Sequence, residues 1–170
     1  RGDEVVPIAQ LLESDFDVVV PVLPGHGNTP GQLEDLTIPA LAEAVAEFLT
    51  ALRFKDALVV GHSLGATVTT ELSATHPELV SRAVLLDPGM GFPDEMRESL
   101  AAMYDGLTPS NFESTLNGML PGILFGPDDA PELVDRVMAG MTGIGIDSFV
   151  ALGRGLVAFD GFAAISRVKA

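Results

Sequence analysis

The stretch Gly61-His62-Ser63-Leu64-Gly65 decides the fold of this chain. It follows the apolar run Ala57-Leu58-Val59-Val60, which predicts a strand, and it precedes residues 66–75, which predict a helix. Glycines two positions before and after Ser63 remove side chains that would collide in a sharp turn. Such a turn raises the serine oxygen out of the sheet at a helix N-terminus, where backbone N–H groups favour negative charge. The five residues therefore predict an exposed, polar strand-to-helix turn.

Helices and strands alternate along the first half of the sequence. The predicted helices are 4–13, 38–52 and 66–75, and the predicted strands are 17–23, 57–60 and 82–86. This alternation is typical of parallel strands joined by right-handed crossovers, with ligands bound beyond the carboxyl ends of the strands. Three segments follow predicted strand ends and are expected to share one site: Gly25-His26-Gly27, Ser63 and Asp87.

Four stretches resemble the α/β-hydrolase superfamily. They are the G-x-S-x-G turn at 61–65, similar to the family's nucleophile elbow, the strand and G-H-G loop at 19–29, the segment His76-Pro77-Glu78-Leu79-Val80, and the strand at 84–88. The resemblance is good over residues 4–88 and loose over the remainder. It implies an α/β fold, a parallel sheet with helices on both faces, and a helical cap inserted after strand six. Residues 1–88 and 160–170 are then predicted to form a partial core, and residues 89–159 the cap.

The predicted cap differs from the core in composition. It contains all six methionines and five of the nine phenylalanines, and it shows no strand pattern. Helices are predicted at 93–104, 110–119, 130–141 and 146–158, and Asp160 is predicted to cap a helix that runs to Arg167. Methionine and phenylalanine adapt to irregular space, so most should pack the cap onto the core while a few line a pocket.

The resemblance implies chemical roles for the residues of the turn. Ser63 would be the nucleophile, and the Leu64 backbone N–H would help to bind an oxyanion, with Gly61, His62 and Gly65 completing the elbow. A serine hydroxyl also needs a base, usually a histidine, and a carboxylate that orients the base. In this family the acid and then the histidine follow the serine along the chain.

No histidine follows the predicted cap, since the three in the sequence are His26, His62 and His76. His62 adjoins Ser63 on a sharp turn where successive side chains diverge, and His76 is expected at the surface. The resemblance implies that the Gly25-His26-Gly27 loop forms pocket wall, although His26 is also an alternative base. The catalytic histidine is therefore expected outside the 170 residues.

The acid and part of the sheet are expected elsewhere as well. Asp87 is an alternative acid, because some family members carry it after strand six; otherwise it is a turn residue before Pro88. The family's strand between 17–23 and 57–61 has no counterpart in the sequence, and its absence would expose long apolar edges. The chain is thus expected to be an internal part of a larger protein, or of a complex, that supplies the missing strands.

Composition and charge restrict the possible partners. Nine Lys and Arg against 24 Asp and Glu give a net charge of −15, so neither a nucleic-acid nor a membrane partner is expected. The chain has no cysteine, which excludes disulfides and thiolate sites. No spacing typical of a metal or dinucleotide site is present, and no cofactor is predicted. No signal peptide is visible, and a cytoplasmic location is predicted.

The resemblance to the α/β-hydrolase superfamily implies a serine hydrolase that acts through an acyl-enzyme, and the apolar cap predicts an uncharged, apolar ester, lactone or thioester of small to medium size as its substrate. Ser63 argues against the dehalogenase and epoxide-hydrolase branches, which use aspartate at that point. Hydrolysis of a carbon–carbon bond is an alternative within the same mechanism. A hydrolase-fold protein that binds a small ligand without catalysis is the alternative from a different class.

Overall fold

A computed structural model describes residues 5–169 of the chain. Within this range the helices are α1 (Val6–Leu12), α2 (Ile38–Ala51), α3 (Leu64–Thr75), α4 (Asp94–Gly106), α5 (Phe112–Met119), α6 (Pro121–Leu124), α7 (Pro131–Thr142), α8 (Ile146–Ala158) and α9 (Gly161–Ile165). The strands are β1 (Ala57–His62) and β2 (Val80–Leu86), and a 3-10 turn spans Leu33–Asp35. The predicted helices are confirmed apart from shifts of a few residues at their ends; residue 4 of the first predicted helix lies outside the described residues, and α6 was not predicted.

The two strands pair in parallel, as the helix–strand alternation predicts. Val60 lies beside Val84 and His62 beside Leu86, so both strands end at the same edge. Helix α3 connects them and packs against both. This crossover places the 61–65 turn next to the end of β2.

The strand predicted at residues 17–23 is wrong: this segment forms no strand within the described range. Strands are stabilised by hydrogen bonds to a neighbour, and residues 17–23 have no such neighbour among residues 5–169. Val18, Val19 and Val22 are correspondingly exposed. Leu58 and Val60 of β1 are also exposed, on the face of the strand pair that α3 does not cover.

Helix α2 begins where its sequence predicts. The Thr37 hydroxyl accepts a hydrogen bond from the Ala40 N–H at 3.3 Å, and Pro39 occupies the first turn. The apolar stripe of α2 packs against α3. The buried members of this first hydrophobic cluster are Leu36, Ile38, Leu41, Ala42, Ala46, Val68, Leu72 and Leu152.

Helix α3 is buried along most of its length although it is rich in polar residues. Residues 66–73 are all buried. The hydroxyls of Thr69, Thr70 and Ser73 donate to carbonyls one turn earlier, at 2.7 to 3.0 Å. The buried Glu71 carboxylate accepts from the Arg167 guanidinium at 2.7 Å. Every polar group of the helix named here is therefore hydrogen-bonded inside the protein, which makes its burial tolerable.

A second hydrophobic cluster lies within residues 107–149. Its buried members are Phe112, Leu116, Leu120 and Met138. Phe149 of α8 packs edge-on against Phe112 at 5.5 Å between ring centroids, while Leu152 of the same helix belongs to the first cluster. Because α8 contributes to both clusters, the division into a core and an 89–159 cap stays a prediction.

Within the described range no single helix is long and apolar enough to cross a membrane. Helices α7 and α8 taken together are long and apolar enough for a membrane span, but the two helices are bent by 93° relative to each other.

Candidate active site

Ser63 has a backbone conformation that L-amino acids rarely adopt. Its φ is 51° and its ψ is −119°, between the last residue of β1 and the first of α3. Its N–H donates to the Leu86 carbonyl at 2.9 Å, which joins the turn to the end of β2. A conformation of this kind costs about 1–3 kcal/mol and is kept where the surroundings enforce it, commonly at functional sites.

The two glycines of the turn differ in how much space a side chain would have at each position. A Cβ on Gly61 would lie 2.4 Å from the Gly65 carbonyl oxygen and 2.6 Å from the backbone of Ala66, so only glycine fits. A Cβ on Gly65 would meet no atom within 4 Å among the described residues outside its own helix. The collision predicted across the turn is confirmed for Gly61 and is wrong for Gly65 in this part of the protein.

The turn leaves two polar groups available to a ligand. The Ser63 side chain does not cap α3, and the residue is exposed. Within residues 5–169 neither the Ser63 hydroxyl nor the Leu64 N–H has a hydrogen-bond partner. Both groups stand at the N-terminus of α3, where partial positive charge favours an anion. A bound carbonyl could therefore meet a hydroxyl and a backbone donor together.

Asp87 directly follows the end of β2. Its φ is 51°, and it is exposed. Asp87 is the next residue after Leu86, whose carbonyl accepts the hydrogen bond from the Ser63 N–H. Its carboxylate makes no hydrogen bond to a histidine or to Ser63 in the described range, so a role as the catalytic acid stays a prediction.

The Gly25-His26-Gly27 loop is held by bonds among its own neighbours. The His26 N–H donates to the Leu23 carbonyl at 3.1 Å, and the Thr29 N–H donates to the His26 carbonyl at 2.9 Å. Both glycines have left-handed φ values, 76° and 53°. The conformation of this loop is therefore fixed by hydrogen bonds within residues 23–29. That it forms part of a pocket wall stays a prediction.

The His26 ring is partly buried within this loop. Its Nδ1 lies 3.1 Å from the Pro24 carbonyl oxygen, where a protonated nitrogen donates. Burial lowers the pKa of His26 below its ordinary value of 6.5, although the contact with Pro24 acts in the opposite direction. The ring is therefore neutral at pH 7, and it makes no hydrogen bond to the Ser63 hydroxyl in the described range.

Neither of the other two histidines is hydrogen-bonded to the Ser63 hydroxyl within residues 5–169. His62 is exposed. His76 pairs through Nε2 with Glu43 at 2.9 Å and lies 3.6 Å from Glu78. The side chain of His76 is 23% exposed, and at the surface this histidine links α2 to the end of α3. Residues 5–169 contain no cluster of three potential metal ligands.

Sequence reasoning missed the contacts that bind α3 to distant parts of the chain. The Thr67 hydroxyl accepts from the Gly89 N–H at 2.9 Å, and Glu71 pairs with Arg167. The threonines and Glu71 of α3 were the available signal, but their pattern in the sequence does not reveal their partners.

Comparisons with known proteins identify the fold family of the chain. Residues 2–139 match the family model described as alpha/beta hydrolase fold. The chain is 33% identical over 103 residues to a pimeloyl-[acyl-carrier protein] methyl ester esterase of Aromatoleum aromaticum, covering 61% of this chain and 39% of the esterase. The chain spans between 22% and 39% of the curated relatives it matches.

Solved structures show the same fold. A hydrolase from Oleispira antarctica aligns with a TM-score of 0.81 at 18% identity, covering 98% of this chain and 64% of that structure. A hydrolase from Pseudomonas aeruginosa aligns with a TM-score of 0.80 at 22% identity, covering 98% and 63%. The family model, which matches most of the sequence, shows that the chain belongs to the α/β-hydrolase fold family.

Proposed function

We propose that this chain carries the nucleophile of a serine hydrolase. The single observation that supports the proposal most is the Ser63 turn, with its φ of 51°, its exposed hydroxyl and the Leu64 N–H beside it. Outside the 170 residues, a histidine would take the proton of the Ser63 hydroxyl as its oxygen attacks a carbonyl carbon. The Leu64 N–H would stabilise the oxyanion, and water would release the acyl group from the serine.

The base and the acid are proposed to lie outside this chain, which alone would be inactive. Neither His76, paired with Glu43, nor His26, bonded to the Pro24 carbonyl, is hydrogen-bonded to Ser63 in the described range. Asp87 is the alternative acid because it lies beside the elbow. The remaining strands of the sheet are proposed to come from the rest of the same protein or from a partner chain, and a cytoplasmic location also stays a prediction.

The proposed substrate is an uncharged, medium-sized ester, lactone or thioester. Residues 89–159 contain all six methionines and five of the nine phenylalanines, and the net charge of −15 disfavours anionic substrates. The similarity to a methyl ester esterase favours an ester over a lactone or thioester as the substrate. Hydrolysis of a carbon–carbon bond would use the same serine and stays the second candidate.

A fluorophosphonate probe tests the proposal, because it reacts covalently with an activated serine. We expect the full-length protein to gain the mass of the probe and Ser63→Ala to gain none. The matched control is Ser114→Ala, which removes an exposed hydroxyl that, within residues 5–169, bonds only to the Asn111 carbonyl; this variant should label like the unmodified protein. If the unmodified full-length protein is not labelled, the alternative of a non-catalytic ligand-binding protein is supported instead.

A further inference from the structure

The residues that follow β2 are hydrogen-bonded to the start of α9, so the two ends of the 89–159 segment lie close together. The Gly161 N–H, at the start of α9, donates to the Met90 carbonyl at 2.8 Å. A Cβ on Gly161 would lie 2.6 Å from Met90 Cα and from its carbonyl oxygen, so this contact requires glycine. Asp160 caps α9 by accepting from the Ala163 N–H at 2.9 Å. Met90, the second residue of the predicted cap, is therefore held against Gly161, which lies two positions after the cap's last residue.

Thr67, in helix α3, is hydrogen-bonded to the residue just before Met90. Its side-chain oxygen accepts from the Gly89 N–H at 2.9 Å, and the residue is fully buried, with 0% exposure. Gly89 is confined from the other side as well, since a Cβ there would lie 2.8 Å from Leu156 Cδ1 of α8. Gly89 thus lies between the elbow helix and a helix of the predicted cap.

The same hydroxyl also reaches the peptide that carries the proposed oxyanion donor. The Thr67 side-chain oxygen lies 3.3 Å from the Ser63 carbonyl oxygen, which also accepts from the N–H groups of Ala66 at 3.0 Å and Thr67 at 3.1 Å. The Ser63 C=O and the Leu64 N–H belong to one planar trans peptide and point in opposite directions. Donors that hold the Ser63 carbonyl therefore set the direction of the Leu64 N–H.

We propose that Thr67 is a positioning residue. Its hydroxyl links Gly89, the first residue of the predicted cap, to the Ser63–Leu64 peptide, which carries the proposed oxyanion donor. The inference rests on the proposed hydrolase function of Ser63. Thr67 would act through the Ser63–Leu64 peptide and through Gly89, whose N–H donates to the Thr67 hydroxyl and whose carbonyl oxygen, at 3.4 Å, is that hydroxyl's second acceptor. Because an oxyanion forms only in the transition state, a misaligned donor lowers kcat and leaves KM unchanged.

The test compares three variants of the full-length protein on a p-nitrophenyl ester. Thr67→Val keeps the shape but removes the hydroxyl, and should lower kcat about tenfold with KM constant, less than the loss of a whole oxyanion donor. Thr67→Ser keeps the hydroxyl and should restore kcat to within about threefold. Thr70→Val is the matched control, because Thr70 is buried in the same helix and its hydroxyl, among the described residues, bonds only to the Ala66 carbonyl, at 3.0 Å.

Amide hydrogen exchange at Gly89 gives a readout independent of activity. We expect faster exchange of this amide in Thr67→Val, and unchanged exchange in Thr67→Ser and Thr70→Val. Equal kcat in the two valine variants, or failure of the serine variant to restore kcat, would overturn the inference while leaving the hydrolase proposal intact. An unmodified protein without turnover or probe labelling would refute the proposed function, and the exchange data would then report only the Thr67–Gly89 link.

Discussion

The elbow at 61–65 and the loop at 25–27 have similar sequences but are shaped in different ways. Each holds a histidine next to glycine, and each was predicted to follow a parallel strand. The elbow is fixed by residues far along the chain, through the bond from Ser63 to Leu86 and that from Gly89 to Thr67. The loop is held by bonds within residues 23–29, and the strand predicted before it does not form. A turn keeps a strained conformation when distant contacts enforce it.

Gly61→Ala should have the largest effect on stability. The new methyl group would meet backbone atoms of Gly65 and Ala66, which cannot move without breaking the turn. We expect a loss of about 3 kcal/mol in the free energy of unfolding, measured in urea, together with loss of probe labelling. Gly65→Ala is the matched control and should be neutral or slightly stabilising, since space is open there. Equal urea midpoints for both variants would show that the elbow is not constrained as described.

Ser63→Gly should separate stability from reactivity. Glycine adopts a φ of 51° and a ψ of −119° without the steric cost that serine bears. We expect the free energy of unfolding to rise by about 1–2 kcal/mol while labelling is lost. Ser63→Ala should also lose labelling but show no such gain, because alanine has the same backbone restriction as serine. A glycine variant no more stable than the alanine variant would contradict the strain at Ser63.

Gly27→Ala should have a smaller effect, confined to the loop. The backbone φ of 53° disfavours a side chain, although the nearest atom to a Cβ is Val22 Cγ1 at an ordinary 3.7 Å. We expect a loss of about 1 kcal/mol in urea unfolding, with probe labelling retained. Gly118→Ala, in open space within α5, is the control and should not destabilise the protein. Loss of labelling in Gly27→Ala would mean that the loop and the elbow are coupled.

The titration of His26 should give the smallest effect. Burial lowers its pKa in the folded state below 6.5, so the unfolded state binds more protons between the two pKa values. Stability should therefore fall as the pH is lowered through 6.5, and this part of the loss should level off once the pH is below the folded pKa. Urea midpoints between pH 7.5 and 5 should fall less in His26→Gln than in the unmodified protein. Parallel curves would show that His26 titrates alike in both states.

Much of the local structure could be predicted from the sequence, because its signals act over a few residues. Thr37 and Asp160 cap helices as predicted, and the helical periodicity placed α2, α4, α5, α7 and α8. Residues 17–23 carry as strong an apolar pattern as β1, yet they form no strand in the described range. An apolar pattern indicates that a segment can be buried in a sheet, but a strand also needs a neighbour to pair with.

The sequence by itself determined the elbow, since Gly61 before a serine at a strand-to-helix junction leaves few conformations without a collision. Tertiary structure alone decided the pairing of Leu86 with Ser63 and the contact of Thr67 with Gly89. The physical reason is the range of the interactions. Backbone preferences and capping act between neighbours in the chain, whereas these hydrogen bonds join residues more than 20 positions apart and form only when α3 lies against both strands.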